Sequence, residues 1–222
     1  MIYYLKAENQ SLGQERAKHM LVRHLVGLLV VLCLSACSTT RMLPAIDSYT
    51  ISVRQETVEH SASDLQKQTI VKVMDINAEQ AFKTTQMLYR EQGQQINAYM
   101  NSRWSDAPDV LMGRYIQQFL QQSHYFRAVI NERSQSQSDW LIESELIDFS
   151  HHIGKKGRSN VLIVMQFYLI DNKSKNMLAT HYIESEVVVA EQNAAAAAVA
   201  FNSAANAVSQ QLLNWLKQQS AD

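Results

Sequence analysis

Two Cys, two Pro and six Gly in 222 residues leave this chain short of everything that builds a special scaffold. So little Gly and Pro excludes a collagenous or low-complexity polymer, and two Cys cannot supply the bridges of a small disulfide-built domain. An excess of one charge is missing as well: 20 Lys+Arg stand against 21 Asp+Glu, for a net charge of -1 and a pI near 6.7. Without a positive field there is little counterion release from phosphates, so nucleic acid is not an expected partner. What the chain does have is 46% hydrophobic residues, enough for one domain of common size with its own core.

The first informative segment is Leu25 to Leu34 (LVGLLVVLCL), an apolar run preceded by Arg23 and His24 and followed by Ser35-Ala36-Cys37. This order of basic, apolar and small residues is that of a secretory signal. As a helix the run would span about 15 Å, roughly half of a hydrocarbon layer, which is too short for a membrane anchor. Leu34-Ser35-Ala36-Cys37 resembles the lipobox of bacterial lipoproteins. That resemblance implies cleavage before Cys37, a diacylglycerol thioether on its sulfur and an acyl chain on its new amino group. Two or three chains hold a domain on a bilayer where one would not, because each buried methylene contributes about 0.8 kcal/mol. Ser38 after the Cys resembles outer-membrane sorting in enterobacterial lipoproteins. Residues 1–19 make a long leader of mixed charge, so Met20 is the expected true start. Residues 1–36 carry four Lys+Arg and two Asp+Glu, which leaves 16 and 19 and a mature charge of -3. Cys33 leaves with the signal, so no disulfide is expected.

Residues 37–48 read as a lipidated tether and 49–222 as the domain. Tyr49 to Val53, Thr69 to Ile76, Gln86 to Arg90 and Gln95 to Trp104 have strand composition, the last two close enough for a hairpin. Residues 54–68 read as a polar loop. Ser105 and Asp106 are N-cap types, Pro108 suits a first turn and Asp109 the positive end of a helix dipole. Leu111, Met112, Tyr115, Ile116, Phe119 and Leu120 then fall on one helical face. Tyr125 to Ile130, Trp140 to Phe149, Val161 to Ile170 and Met177 to Ala190 supply further strands. Residues 131–139 form a loop between the first two of these. The third is so continuously apolar that burial on both faces, at the sheet centre, is expected. From Asn193, an N-cap type, Ala198, Phe201, Ala205, Val208, Leu212 and Trp215 keep helical spacing. The five consecutive alanines suit close approach of a helix to a sheet better than a membrane-active or dimerising surface. Two amphipathic helices on one sheet, each covering a side or both sharing one, predict a single layered α/β or α+β domain. The sheet is expected to be mixed and mostly antiparallel.

No constellation in the sequence favours catalysis or a metal. His151 and His152 are adjacent and would point to opposite faces of a strand. His60, His124 and His181 lack ligand spacing. Glu143, Glu145 and Asp148 lie in one segment, and Glu143 with Glu145, two apart on one strand face, could be read as an acid pair, but the polar side of a half-buried strand accounts for them better. Gly154-Lys155-Lys156-Gly157 lacks the spacing and helix of a phosphate loop. Lys155, Lys156 and Arg158 sit on a hairpin tip, where they could meet anionic headgroups or an acidic partner, although an ordinary charged tip is the simpler account.

The lipobox, the Tyr49-Thr50-Ile51 opening, and Asn97-Ala98-Tyr99-Met100-Asn101-Ser102-Arg103-Trp104 leading through Pro108 into a helix resemble the ABC-type transport auxiliary lipoproteins. So does the Ala-rich helix ending Leu212-Leu213-Asn214-Trp215-Leu216. The resemblance spans about residues 37–219 and extends to the small lipoprotein encoded with paraquat-inducible membrane proteins. It implies a fold similar to the amino-terminal domain of the Tol-system β-propeller protein. It also implies a non-enzymatic outer-membrane lipoprotein on the periplasmic face. Such a protein works beside MCE-domain or inner-membrane transport components in moving phospholipid or other hydrophobic molecules between membranes. No cofactor is expected beyond the acyl groups on Cys37, and a homo-oligomer is left open. Two other readings stand beside this adaptor: a carrier holding an acyl chain under its helices, and a structural lipoprotein of another outer-membrane assembly machine.

Overall fold

β7 (Trp140–Ile153) is the spine on which the rest is hung. The structure, a computed structural model, describes residues 20, 23–25, 44–53, 67–91, 95–154 and 157–219. Its other elements in chain order begin with β1 (Asp47–Tyr49), β2 (Lys67–Val73), β3 (Asn77–Ala78), β4 (Gln86–Glu91) and β5 (Ile96–Trp104). They continue with α1 (Pro108–Gln122), β6 (Phe126–Asn131), β8 (Ser159–Asp171), β9 (Met177–Val188) and α2 (Ala194–Gln219). The described residues from Ala45 onward form one compact unit.

One edge of β7 pairs with β8 along its whole length, from Trp140 opposite Asp171 to Ile153 opposite Ser159. The other edge is shared end to end by three parallel partners: β2 at Trp140 to Ile142, β3 at Glu145 and Leu146, and β4 at His151 to Ile153. β6 joins β2, β5 joins β4 as the expected hairpin, β1 joins β5, and β9 joins β8, completing a nine-stranded mixed sheet. The longest ladders, β7 with β8 and β8 with β9, are antiparallel. α1 and α2 pack on each other, with α1 also on β6 and α2 on β8 and β9, so the helices share a face.

That arrangement corrects the expectation for Val161 to Ile170. Val161, Ile163, Met165, Phe167 and Leu169 are fully buried toward the helices, but on the other face only Val164 is buried, while Leu162, Gln166, Tyr168 and Ile170 are half-buried. β8 is therefore one strand from the edge, and β7 is the centre. Aliphatics that half-cover a solvent-side face give the same unbroken apolar run as a strand closed on both sides.

The first strand is displaced too. The ladder covers Asp47 to Tyr49, parallel to Ser102 to Trp104, and leaves the β-branched residues after Tyr49 outside it. Ile51 instead plugs the core, and the Ser52 N–H donates to Asn202 Oδ1 on α2 at 2.9 Å. The helix after β5 begins as expected at Pro108, yet neither Ser105 nor Asp106 is its N-cap. Proline disfavours helical backbone in the residue before it, so Ala107 is extended (φ -64, ψ 145) and becomes the cap residue. Asp106 instead accepts the Ala107 N–H and the Arg114 guanidinium, each at 3.0 Å. Asn193 does cap α2, its Oδ1 accepting the Ala196 N–H at 2.8 Å.

Ala197, Ala198, Ala204 and Ala205 are buried on the sheet side of α2, consistent with small residues permitting close approach. The approach is levelled by one aromatic group. Trp104 meets Phe149 and Phe201 edge-on at 5.4 and 5.2 Å, and Phe149 and Phe201 stack at 4.3 Å. Trp104 is thus a core ring, joining β5, β7 and α2.

Candidate functional site

The face of the sheet away from α1 and α2 carries its polar groups in a row that the sequence period conceals. Strict alternation would set Asp148 opposite in facing to Glu143 and Glu145. A bulge at Ile147 restores the same facing: Glu145 pairs with Gln166 and Asp148 with Val164, neighbours on one side of β8. Ile147 itself is left 40% exposed. The bulge brings Asp148, Ser150 and His152 into line beside Arg90 of β4. Ser150 Oγ donates to Asp148 Oδ1 at 2.5 Å, and His152 Nε2 lies 3.0 Å from that hydroxyl. Arg90 Nε donates to Ser150 Oγ at 3.2 Å, and its terminal nitrogen lies 3.4 Å from Asp148.

Serine, histidine and aspartate within reach of one another invite comparison with a hydrolytic triad, but the wiring differs. A nucleophilic serine must give its proton to the histidine, which the carboxylate orients. Here the serine sits between the other two, gives its proton to the carboxylate and is fully buried. The cluster acts as a polar clip between β4 and β7.

His151 faces the other way, into the core, as adjacent strand residues must. Its Nδ1 lies 2.7 Å from Tyr99 Oη, and its Nε2 is buried with no hydrogen-bond partner. Burial, then the neighbouring His152, pulls the ring down to about 4, so it is neutral. Burial, with Tyr89 and Glu91 nearby, pushes the Tyr99 hydroxyl up to about 12. His181 is packed as well, stacked on Trp215 at 5.2 Å. Among the described residues no three His, Cys, Asp or Glu are grouped to hold a metal ion. No described helix is long and apolar enough to cross a membrane.

The β7–β8 turn closes with the Gly154 N–H donating to Arg158 O at 2.8 Å, and Gly157 takes a left-handed φ of 77 that its missing side chain permits. Arg158 is exposed at this tip; Lys155 and Lys156, like Cys37 and His60, lie outside the described residues. Beside the tip, Gln192 Nε2 donates to Arg158 O at 3.4 Å, and β9 ends against Ser159 and Asn160. There a groove of about 470 Å³ opens between the end of β9 and the first turns of α2, lined chiefly by Val187, Val188, Ala196, Val199 and Ser203. Val188 and Val199 are 80% and 70% exposed. The groove is not legible in the sequence because it is made by two elements that pack side by side. The signal available was valines set among alanines on the outer side of an otherwise buried helix.

The domain is thus a mixed open sheet with α1 and α2 on one face and the Arg90, Asp148, Ser150 and His152 clip on the other. The sequence profile of the ABC-type transport auxiliary lipoprotein component matches residues 49–212, and the chain belongs to that family. The fold has solved counterparts. A crystal structure from Xanthomonas campestris, of family DUF330, superimposes with a TM-score of 0.69 at 15% identity, covering 80% of this chain and 97% of that one. The crystal structure of an uncharacterized protein gives 0.57 at 12% identity, covering 78% and 98%. No curated protein matches the sequence.

Proposed function

We propose that this lipoprotein is a non-enzymatic adaptor of the bacterial envelope. Residues 1–36 are removed as a signal, Cys37 carries diacylglycerol and an N-acyl chain, and 37–48 tether the 49–222 domain to the periplasmic face of the outer membrane. The domain docks an MCE-domain protein or another inner-membrane component of an ABC-type system, so that phospholipid or another hydrophobic molecule passes between membranes without crossing water. Lys155, Lys156 and Arg158 at the β7–β8 tip contact the partner or anionic headgroups.

The observation that carries this reading is the family match over residues 49–212, lying directly behind the Leu34-Ser35-Ala36-Cys37 sequence. Family membership supports the auxiliary transport role; the lipobox supports the anchor. An adaptor is favoured over a carrier because Trp104, Phe149 and Phe201 fill the space between α2 and the sheet.

The test is affinity capture of the full-length lipoprotein from detergent-solubilised envelopes. An MCE-domain protein or its permease should co-purify, and less of it should do so with a Lys155→Ala, Lys156→Ala, Arg158→Ala variant. Absence of any such component from the wild-type eluate contradicts the adaptor. A stoichiometric acyl ligand in the purified protein, beyond the one on Cys37, establishes the carrier instead.

A further inference from the structure

The sheet ends at β9 in a way that leaves it open to a further strand. β9 pairs with β8 alone, and among the described residues no strand lies along its outer side. The Val189 N–H donates to Ser159 O at 2.8 Å, which fixes the phase of the antiparallel ladder. Odd-numbered residues therefore bond to β8, while Tyr182, Glu184, Glu186 and Val188 turn their N–H and C=O groups outward. Exposed edges are ordinarily guarded by charged side chains, lysine above all, by proline, by bulges or by shortness, and the charges on β9 are the acidic Glu184 and Glu186, which turn away a like-charged strand but attract a basic one. β9 has twelve residues, no lysine or proline, and its one irregularity against β8 lies at its start, beside Met177.

The two sides of this edge differ in chemistry. Toward the helices lies the apolar groove, with Val187, Ala196 and Val199 placed where inward side chains of an added strand would go. On the outer face, Glu184 and Glu186 are exposed and two residues apart, with Tyr182 Oη donating to Glu184 at 3.4 Å. Pairing β9 with a second copy of itself about this stretch brings its glutamates against one another, and like charges opposite each other destabilise a ladder. A strand with lysine or arginine at those positions is favoured for the same reason.

We propose that the outer edge of β9 binds an extended partner segment as a tenth strand, aliphatic side chains toward α2 and Lys or Arg toward Glu184 and Glu186. The inference deepens the adaptor reading and rests on it only for the origin of the segment. Failure of strand binding removes the docking edge and leaves the transport role; failure of MCE capture removes the role and leaves the edge.

The experiment uses the full-length lipoprotein in neutral detergent and a labelled peptide alternating Val and Lys, with a Val and Glu peptide as its counterpart. Binding is read by fluorescence anisotropy and by hydrogen exchange at residues 182–188. Saturable binding of the Lys peptide, with slowed exchange at the even-numbered amides, is expected. Glu186→Pro removes one outward N–H while leaving the odd-numbered ladder intact, and should abolish binding. Glu184→Gln with Glu186→Gln, near-isosteric and safe for folding, should weaken the Lys peptide roughly 2- to 30-fold. The proposal is overturned if the Lys peptide does not bind saturably, if it binds no better than the Glu peptide, or if the double Gln variant binds it unchanged. It is equally overturned if the even-numbered amides are already protected without peptide and lose protection on dilution, since a second copy then occupies the edge.

Discussion

Tyr99 Oη and His151 Nδ1 lie 2.7 Å apart where β5 and β7 face each other across β4, so an ionisable ring is wedged into the core with one nitrogen satisfied and one not. Protonating that ring in place is unfavourable, and its value falls from 6.5 to about 4. The unfolded chain takes up the proton near 6.5 and the folded chain only near 4, so between those values the unfolded state binds more protons. Stability should therefore be fully present above about pH 6.5 and be lost progressively down to about pH 4, by on the order of 3 kcal/mol. Thermal melts of wild type and His151→Asn between pH 4 and 7.5 check this: the variant, which keeps a partner for Tyr99, should show a shallower slope.

Phe201 bears on Phe149 and Trp104 together, and all three rings are essentially inaccessible. Phe201→Ala removes a fully buried ring from a junction that cannot close around the gap, at a cost of about 3–5 kcal/mol. Urea unfolding at neutral pH measures it, and a loss below 1 kcal/mol would show that α2 is not pinned there.

Two arginine pairs of similar length should behave differently. Arg90 and Asp148 are 19% and 14% exposed and share Ser150, whereas Arg114 and Asp106 are 55% and 43% exposed. Arg90→Met strands a half-buried carboxylate and should cost roughly 1–3 kcal/mol. Arg114→Met should cost about 0–1 kcal/mol. Equal losses in paired unfolding curves would contradict the clip between β4 and β7.

Asn193 provides a local test at the start of α2. Its side chain accepts the Ala196 N–H, so Asn193→Ala should destabilise by about 1 kcal/mol, while Asn193→Ser or Asn193→Asp should be close to neutral. Chemical denaturation of the three variants reads the difference.

Much of this architecture is written locally. The periodicity of Leu111 to Leu120 and of Ala198 to Trp215 places both helices. What escaped were features set by distant contacts. β1 is chosen by the edge that β5 offers, not by the β-branched run beside it. The order β6, β2, β7 and β4 along parallel edges leaves no trace in any one segment. The clip of Arg90, Asp148, Ser150 and His152 depends on one bulged residue that reverses the facing of everything after it. Of the candidate contact residues, Arg158 is placed on an exposed tip and Lys155 and Lys156 fall outside the described residues, as does the lipid-attachment candidate Cys37.

The proposed adaptor depends on an acylated Cys37 holding the domain at its membrane, and intact mass spectrometry of the protein extracted from envelopes reads that modification out. The expected product is a mature chain beginning at Cys37 that carries the mass of a diacylglyceryl group and an amide-linked acyl chain, and that vanishes from the membrane fraction in Cys37→Ala. A mature protein with an unmodified Cys37, or a Cys37→Ala form that fractionates as wild type does, would contradict it.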